Sequence, residues 1–278
     1  MINLILAVVM SAMISVIMRL SGGKCKANIS MLAANYIMCS LLAISYIGFD
    51  NVFPVDRGLG NTPVFGVING FLYPMGFILM QMNVKKNGVV LSATFMKLGL
   101  LVPMAIAICF FGERPSLIQI TGFVVAIVAI LMINVEPTEK ESKFKFGLIL
   151  LLFAGGITDS MSKIFEELGN TEFSGQFLFY TFFLALLFCL VLAFFKKERP
   201  GKAEIFYGLA LGLPNYFSAK CLLKSLESIP AVIAYPVYSV ATILVVTLVG
   251  IFFFKEKLSK VQWLALFFIL VALTLLNL

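Results

Sequence analysis

Histidine is absent from this sequence of 278 residues, and only 13% of its residues are charged. Without histidine, the Ser–His and Cys–His pairs that activate a nucleophile cannot form, and imidazole is not available as a metal ligand. The five cysteines show no CxxC spacing, so the sequence indicates neither a zinc site nor a disulfide framework. No long apolar run contains a close pair of carboxylates. We therefore expect no catalytic residues, no bound metal and no cofactor.

Apolar residues are abundant instead, since 61% of the chain is hydrophobic and the mean hydropathy is +1.03. A helix of about 20 apolar residues crosses the roughly 30 Å of a bilayer's hydrocarbon core. Ten runs near this length predict an all-α integral membrane protein with ten transmembrane helices. They cover residues 2–19, 29–49, 62–83, 88–111, 116–134, 146–165, 173–195, 203–225, 229–254 and 259–277. The net charge of +7 does not indicate nucleic-acid binding, because the basic residues stand singly between apolar runs.

A short charged stretch, residues 110–119, returns 143 positions later as residues 253–262. Both copies begin with Phe-Phe, and they share Glu, Ser and Gln at equal spacing. We interpret the repetition as two five-helix repeats, residues 1–135 and 146–278, joined by a polar linker over residues 136–145. Since five is an odd number, the second repeat must cross the membrane in the opposite orientation. The predicted fold is therefore an inverted repeat.

Lysine and arginine concentrate in alternate loops, namely those that follow the first, third, fifth, seventh and ninth predicted helices. The other side has only Arg57, Arg114 and, at the end of a helix, Lys224. The positive-inside rule places the basic loops in the cytoplasm and both termini outside. The first apolar run lacks the basic segment of a secretory signal, so we expect a retained span. We predict a multi-pass protein of the plasma (inner) membrane.

The hinge Phe111-Gly112-Glu113, followed by Gln119 and Gly122, resembles the end of an EamA repeat. The second copy is a weaker version, because it has Lys255 for the hinge glycine and Ala265 for Gly122. Ten helices in two inverted halves is also the architecture of the drug/metabolite transporter superfamily. The resemblance implies a solute carrier that works by alternating access. It further implies that helices 1–4 and 6–9 surround a central cavity and that helices 5 and 10 pack at the periphery.

Lys97 is the clearest candidate functional residue. It lies about ten residues into the fourth predicted helix and therefore about 15 Å deep in the membrane. A lone ammonium at that depth costs about 2.5–3.5 kcal/mol on insertion scales, so it is expected to face a cavity or a carboxylate. We interpret Lys97 as a substrate or coupling residue, and the alternative is a structural pair with Asp159.

Asp159 lies late in the sixth predicted helix, which is the repeat mate of the first. A carboxylate in a low-dielectric environment can exchange protons near neutral pH, which suits a coupling site. The alternatives are structural pairs with Lys97 or with Lys163, which lies four residues further along the same helix face.

Lys220 and Lys224 form a basic stripe on the eighth predicted helix, because residues four apart share one helix face. Two lysines on one face could bind a phosphate or a carboxylate. We expect Lys224 to extend to the membrane surface, whereas for Lys220 binding and snorkelling both stay open. The hinge residue Glu113, by contrast, is interpreted as a helix cap that pairs with Arg114, and Glu256 as one that pairs with Lys257.

Three predicted helices place tyrosine near proline. Proline bends a helix and releases a backbone carbonyl, as in interrupted transporter helices, and tyrosine supplies hydrogen bonds and aromatic walls. The alternative is packing, or anchoring at the membrane interface. The positions are Tyr73-Pro74, Pro214-Asn215-Tyr216 and Tyr235-Pro236-Val237-Tyr238, and weaker polar candidates are Asn35, Tyr36, Asn69, Gln81 and Asn83.

The surplus of deep lysines over deep aspartates favours a secondary active transporter of a small anionic or zwitterionic metabolite, with Asp159 as the candidate proton site. One alternative is efflux of amphipathic cationic drugs, centred on Asp159 with Tyr235 and Tyr238. Another is a non-transporting membrane subunit of a larger complex. We expect a monomer or homodimer that interacts with its solute and with membrane lipids.

Overall fold

The computed structural model describes residues 1–54, 58–87, 89–134, 145–255 and 259–278. Over these ranges the chain is largely helical and contains no strand. The helices are α1 (Ile2–Ser21), α2 (Asn28–Ile47), α3 (Thr62–Asn87), α4 (Val89–Leu98), α5 (Leu101–Cys109), α6 (Leu117–Asn134), α7 (Lys145–Leu168), α8 (Ser174–Phe195), α9 (Lys202–Leu226), α10 (Ala231–Phe254) and α11 (Lys260–Leu276). They confirm the ten predicted runs, except that the fourth is divided into α4 and α5. Three groups of predicted features lie outside the described residues: Arg57, the linker over residues 136–144, and residues 256–258 with Glu256 and Lys257.

Length and composition suit these helices to a membrane. Six helical stretches of the described residues are long and apolar enough to cross one, namely α1, α2, the first part of α3, α7, α8 and α10. Shorter apolar stretches lie in α6, in α11 and over Phe95–Cys109. Many large apolar side chains are exposed on the helix surfaces, as expected where lipid replaces water. The chain is a multi-pass membrane protein.

The repeated hinge sequence begins a helix in the same way in both copies. The Ser116 hydroxyl accepts a hydrogen bond from the Gln119 N–H at 3.2 Å, and the Gln119 side chain accepts one from the Ser116 N–H at 3.0 Å. Ser259 and Gln262 form the same reciprocal pair at the start of α11. This capping box satisfies N–H groups that a helix start leaves without partners. It explains why serine and glutamine recur at the same spacing.

The helices form two compact units. The first unit contains residues 1–74 and 164–225, and the second contains residues 75–163 and 226–278. Within the first unit α2 packs along α8, and within the second α6 packs along α11. Each unit therefore combines helices from before and after the polar linker.

Glycines allow helices of the first unit to lie directly against each other. A Cβ added at Gly212 of α9 would lie 2.5 Å from the Asn35 carbonyl oxygen on α2. Gly208, one turn earlier, approaches α2 equally closely, and Gly66 and Gly70 bring α3 onto α8 in the same way. Small residues four apart are a common device for close helix packing in membranes. Neither pair was predicted from the sequence.

The Gly208→Ala variant is expected to lower the unfolding temperature of the detergent-purified protein. The added methyl group would overlap the α2 backbone, and overpacking of this kind costs about 1–3 kcal/mol. Gly76→Ala is the matched control, because a Cβ at Gly76 in α3 meets no atom within 4 Å. Replacing a helical glycine there should instead gain about 0.5–1 kcal/mol. Scanning fluorimetry compares the two variants, and equal shifts would contradict the packing.

Acidic side chains join two predicted cytoplasmic loops at one end of the first unit. Glu204, in the first turn of α9, accepts a hydrogen bond from the Lys26 N–H at 2.8 Å. Glu198, just after α8, accepts one from the Ser30 N–H at 3.0 Å, in the first turn of α2. The α1–α2 and α8–α9 loops therefore lie at the same end of the unit. Their common location agrees with the prediction that both face one side of the membrane.

Candidate functional site

An interruption at residues 99 and 100 separates α4 from α5 in the second unit. Pro103 has no N–H group, so it cannot donate the helical hydrogen bond that the Gly99 carbonyl would accept. The Gly99 carbonyl accepts instead from the Val102 N–H at 2.9 Å, which tightens the turn. Interrupted helices of this kind accompany binding sites in transporters.

The interruption does not fall at the tyrosine–proline positions. Pro74, Pro214 and Pro236 lie inside α3, α9 and α10, which continue through them. The predicted tyrosine–proline positions therefore do not coincide with the interruption of a helix, and their role in binding stays a prediction. Neighbouring helices can support the backbone groups that a proline releases in a membrane helix, so proline alone does not decide where a helix breaks.

Glycines on both sides let the interrupted segment approach α7. A Cβ added at Gly99 would lie 3.0 Å from the Gly156 backbone nitrogen, and one added at Gly156 would overlap the Gly99 carbonyl oxygen. The two backbones are therefore in direct contact. Asp159, one turn further along α7, lies close to the same contact. This close approach brings the end of α4 and the middle of α7 together without intervening side chains.

Lys97 lies in the last turn of α4, directly before the interruption. Its side chain is half-buried, and Asp159 on α7 is exposed. The Lys97 ammonium and the Asp159 carboxylate lie near enough for an electrostatic attraction between them. The negative end of the α4 dipole also favours a cation at this position. Two residues predicted to matter are therefore neighbours with compensating charges.

Lys163 does not pair with Asp159, contrary to one alternative drawn from the sequence. The Lys163 ammonium lies 3.0 Å from a Glu113 carboxylate oxygen, and the two side chains are only 5% and 12% exposed. Asp159 is therefore not neutralised by its own helix, which leaves Lys97 as its nearby cation.

Glu113 is a helix cap, as predicted, but it caps a distant helix. Its two carboxylate oxygens accept hydrogen bonds from the N–H groups of Ala231 and Val232, both at 2.9 Å, at the start of α10. Its ion-pair partner is Lys163 of α7 rather than the adjacent Arg114, which is exposed. One buried carboxylate therefore ties the α5–α6 hinge to both α7 and α10.

Tyr235 joins the pair of Lys97 and Asp159 in the second unit. Its hydroxyl donates a hydrogen bond to the Asp159 backbone carbonyl at 2.7 Å, and its side chain is buried. Tyr238, on the same helix, is half-buried. Tyr235 thus fixes α10 against α7 beside the candidate proton site.

The remaining predicted residues lie in the first unit and surround Lys220. The Lys220 ammonium lies 3.1 Å from the centre of the Tyr46 ring and 5.7 Å from that of Tyr216. The two rings stack with centroids 5.9 Å apart. Asn215, the neighbour of Tyr216, donates to the Asn35 side-chain oxygen at 3.2 Å. Lys220, the first lysine of the basic stripe on α9, therefore lies in a cluster of aromatic and amide side chains.

Phe182 of α8 lies at the centre of the aromatic part of this cluster. Its ring contacts those of Tyr73, Tyr216 and Tyr36, with centroids 5.6, 6.2 and 6.3 Å apart. Tyr73 and Tyr216, predicted from different helices, are therefore brought to the same ring. Lys224, one turn beyond Lys220, is exposed, in keeping with a position near the membrane surface.

The structure thus sorts the predicted site residues into two groups. The second unit holds Lys97, Asp159, Tyr235 and Tyr238, and the first holds Tyr73, Asn215, Tyr216 and Lys220. Tyr46, Phe182 and the Glu113–Lys163 pair were not predicted, because no local pattern distinguishes them from other aromatic or hinge residues. Among the described residues, no group of His, Cys, Asp or Glu could hold a metal ion.

Comparison with known proteins finds one transporter family model and two similar proteins. Residues 145–278 match the model of the EamA-like transporter family. The match falls on the half whose hinge motif is the weaker copy. An uncharacterised protein of Haemophilus influenzae is 29% identical over 286 residues, covering 98% of this chain and 96% of that protein. A protein known from a crystal structure shares the fold with a TM-score of 0.79 at 13% identity, over 99% of this chain and 94% of its own.

Proposed function

The match over residues 145–278 makes this protein an EamA-type transporter, and on that premise we propose that it moves a small anionic or zwitterionic metabolite across the plasma (inner) membrane by alternating access. The proposed carrier is a secondary active transporter, as a monomer or homodimer, with Asp159 as its proton site. The observation that carries the proposal is the position of Lys97 at the end of an interrupted helix, beside Asp159.

The proposed coupling follows from the chemistry of the Lys97 and Asp159 pair. A carboxylate within a membrane helix stays ionised only while a cation compensates it. A conformational change that moves Lys97 away from Asp159 during transport would favour protonation of Asp159, so that movement of the solute is linked to movement of a proton. The exposed side chain of Asp159 and the half-buried side chain of Lys97 support this change, because neither is locked in a packed core.

An inverted-repeat architecture is part of the proposal. Two helix contacts support it: α2 on α8 and α6 on α11 each join the corresponding helices of the two proposed repeats, residues 1–135 and 146–278. A two-fold relation between the repeats would bring such helices together in this way. We also propose that both termini lie outside, because the basic loops then face the cytoplasm.

The positions of the lysines favour an anionic over a cationic solute. Lys220 already places its ammonium on the face of Tyr46, so a cationic drug would have to displace it to use that ring. Near Asp159, a cation would also meet Lys97. Efflux of amphipathic cations is therefore not supported by either group of residues.

A ligand screen by thermal shift, followed by transport in proteoliposomes, tests the proposal. Ligands raise the unfolding temperature only if they bind the folded state more tightly than the unfolded state. We expect stabilisation by organic acids, phosphorylated solutes or amino acids, and uptake of the same compounds into vesicles. Stabilisation by amphipathic cations alone would contradict the proposed substrate class. Binding without any uptake or exchange would favour a non-transporting role.

The Asp159→Asn variant is expected to separate solute exchange from proton coupling. Asparagine keeps the size of the side chain but cannot release a proton, so a pH gradient should no longer drive accumulation of the solute. Exchange of labelled for unlabelled solute across the vesicle membrane should continue. Asp50→Asn, at an exposed loop carboxylate, is the matched control and should behave as the original protein. Gradient-driven accumulation by Asp159→Asn would remove Asp159 from the coupling role.

A further inference from the structure

Lys220 of α9 is held by an aromatic ring rather than by a carboxylate. Its ammonium lies 3.1 Å from the centre of the Tyr46 ring, and Tyr216, one turn earlier on α9, stands 5.7 Å from it. Among the described residues no acidic side chain pairs with Lys220. Lys97, by comparison, has Asp159 as a nearby carboxylate. Lys220 is therefore the deep cation whose charge the fold leaves uncompensated.

Three polar atoms in the aromatic and amide cluster that contains Lys220 are buried and have no hydrogen-bond partner among the described residues. They are the hydroxyls of Tyr36 and Tyr216 and the side-chain nitrogen of Asn35. All three side chains are fully buried, at 0% exposure. The oxygen of Asn35 accepts from Asn215, so its amide nitrogen is the atom left over. Native structures rarely leave such groups unsatisfied without a reason such as a ligand or water.

These unpartnered groups belong to one cluster. The rings of Tyr36 and Tyr216 both pack on Phe182, with centroids 6.3 and 6.2 Å from that of Phe182. Asn35 accepts a hydrogen bond from Asn215, the neighbour of Tyr216. Tyr216 connects this cluster to Lys220, whose ammonium lies 5.7 Å from the centre of its ring, and no carboxylate is among the contacts described for these groups. An ammonium together with hydroxyl and amide donors suits an anion.

We propose that this cluster is the subsite for the anionic group of the transported solute. Lys220 takes a carboxylate or a phosphate, the Tyr36 and Tyr216 hydroxyls and the Asn35 amide bind its oxygens, and the Tyr46 ring holds the ammonium while the site is empty. The proposal rests on the proposed function, and it names the residues that set its substrate class. Lys97 and Asp159 then serve proton coupling rather than recognition of the solute.

Exchange of the Tyr46 ring for an anion is favourable on general grounds. A cation–π contact that remains partly open to solvent is weak, and Tyr46 is 57% exposed. A hydrogen bond between an ammonium and a carboxylate or phosphate is stronger. The ring therefore keeps Lys220 in place without preventing binding. Replacement of the Tyr46 ring should therefore remove a contact that competes with the anion for the Lys220 ammonium.

Thermal shift of the purified full-length protein with three probes tests the subsite: inorganic phosphate, lactate and choline. We expect phosphate or lactate to raise the unfolding temperature, which distinguishes the two anion chemistries, and choline to have no effect. In Lys220→Met the apparent dissociation constant for the active anion should rise at least about tenfold, because a charge-assisted hydrogen bond is lost. Lys224→Met, one turn along the same helix, is the matched control and should bind as the original protein.

Conservative and ring-removing variants sharpen the test. Lys220→Arg keeps the charge and should retain most of the shift, which separates lost binding from lost folding. Tyr46→Phe should be unchanged, because the ring face and not the hydroxyl holds the ammonium. Tyr46→Leu should bind the anion about threefold more tightly, the change expected when an exposed cation–π competitor is removed.

Two results would overturn the subsite. One is an anion-induced shift that survives in Lys220→Met, and the other is no shift with either anion. If the shift survives in Lys220→Met but is lost in Lys97→Ala, anion transport stands and the solute binds at Lys97 instead. If choline alone stabilises the protein, the proposed substrate class fails together with the subsite.

Discussion

Lys97→Ala is expected to abolish solute transport in proteoliposomes while the protein still folds. We expect the initial rate of uptake to fall at least about thirtyfold, which corresponds to about 2 kcal/mol of transition-state free energy. The physical reason is that the Asp159 carboxylate then lacks the nearby cation that compensates its charge, and an uncompensated charge within the membrane is costly. The measurement is the initial rate of uptake at matched protein incorporation.

Two further variants show whether the loss is specific to Lys97. Lys202→Ala removes an exposed lysine at the start of α9, and it should transport as the original protein. The double variant Lys97→Ala with Asp159→Asn leaves two uncharged side chains, so that no charge is left without compensation. We expect it to regain exchange of solute but not proton-driven accumulation. Normal uptake by Lys97→Ala would defeat the assignment, provided that its unfolding temperature is unchanged.

Glu113→Ala should destabilise the second unit more than any other single change described above. Breaking a buried ion pair by removing one partner costs about 3–5 kcal/mol. The variant leaves the Lys163 ammonium buried without its carboxylate, and the N–H groups of Ala231 and Val232 lose their acceptor. The unfolding temperature in detergent measures the effect, and transport activity should fall in proportion to the fraction of protein that is unfolded.

Neighbouring substitutions provide the controls for Glu113. Arg114→Gln changes the adjacent charge of the same hinge and should leave the unfolding temperature unchanged, because Arg114 is exposed. Glu113→Gln with Lys163→Met removes both charges, and we expect it to recover part of the stability, since neutral replacements avoid an unpaired buried charge. A loss of less than about 1 kcal/mol in Glu113→Ala would place this pair among weak surface ion pairs instead.

The role of Glu113 also explains why the hinge is a poor candidate for the transport site. All of its carboxylate contacts go to protein groups on α7 and α10, so it has little capacity left for a solute. The same contacts give the hinge a structural task within the second unit. The repeated serine and glutamine therefore reflect the construction of the helices through a capping box, and Glu113 adds a buried cap in the first copy.

The positions of the helices could be predicted because the rules that set them are local. Hydrocarbon thickness fixes the length of an apolar run, and ten such runs appear at the predicted places. The hinge capping box is local too, since Ser116 and Gln119 are three residues apart. The choice of Lys97 as a candidate also follows from depth alone, because a deep charge is expected to have a partner or a cavity.

Contacts between residues on different helices could not be predicted from such local rules. Glu113 caps a helix 118 positions away, and Lys220 rests on Tyr46 of a helix near the other end of the chain. Such partners depend on how far each helix is rotated and how closely its backbone approaches its neighbour. That approach is set by single glycines, such as Gly99 and Gly156, whose effect appears only when two distant segments are packed together. The sequence by itself thus determined where the apolar runs lie and which charged residues need a partner. The tertiary structure decided which residues are those partners and where the fourth run is interrupted.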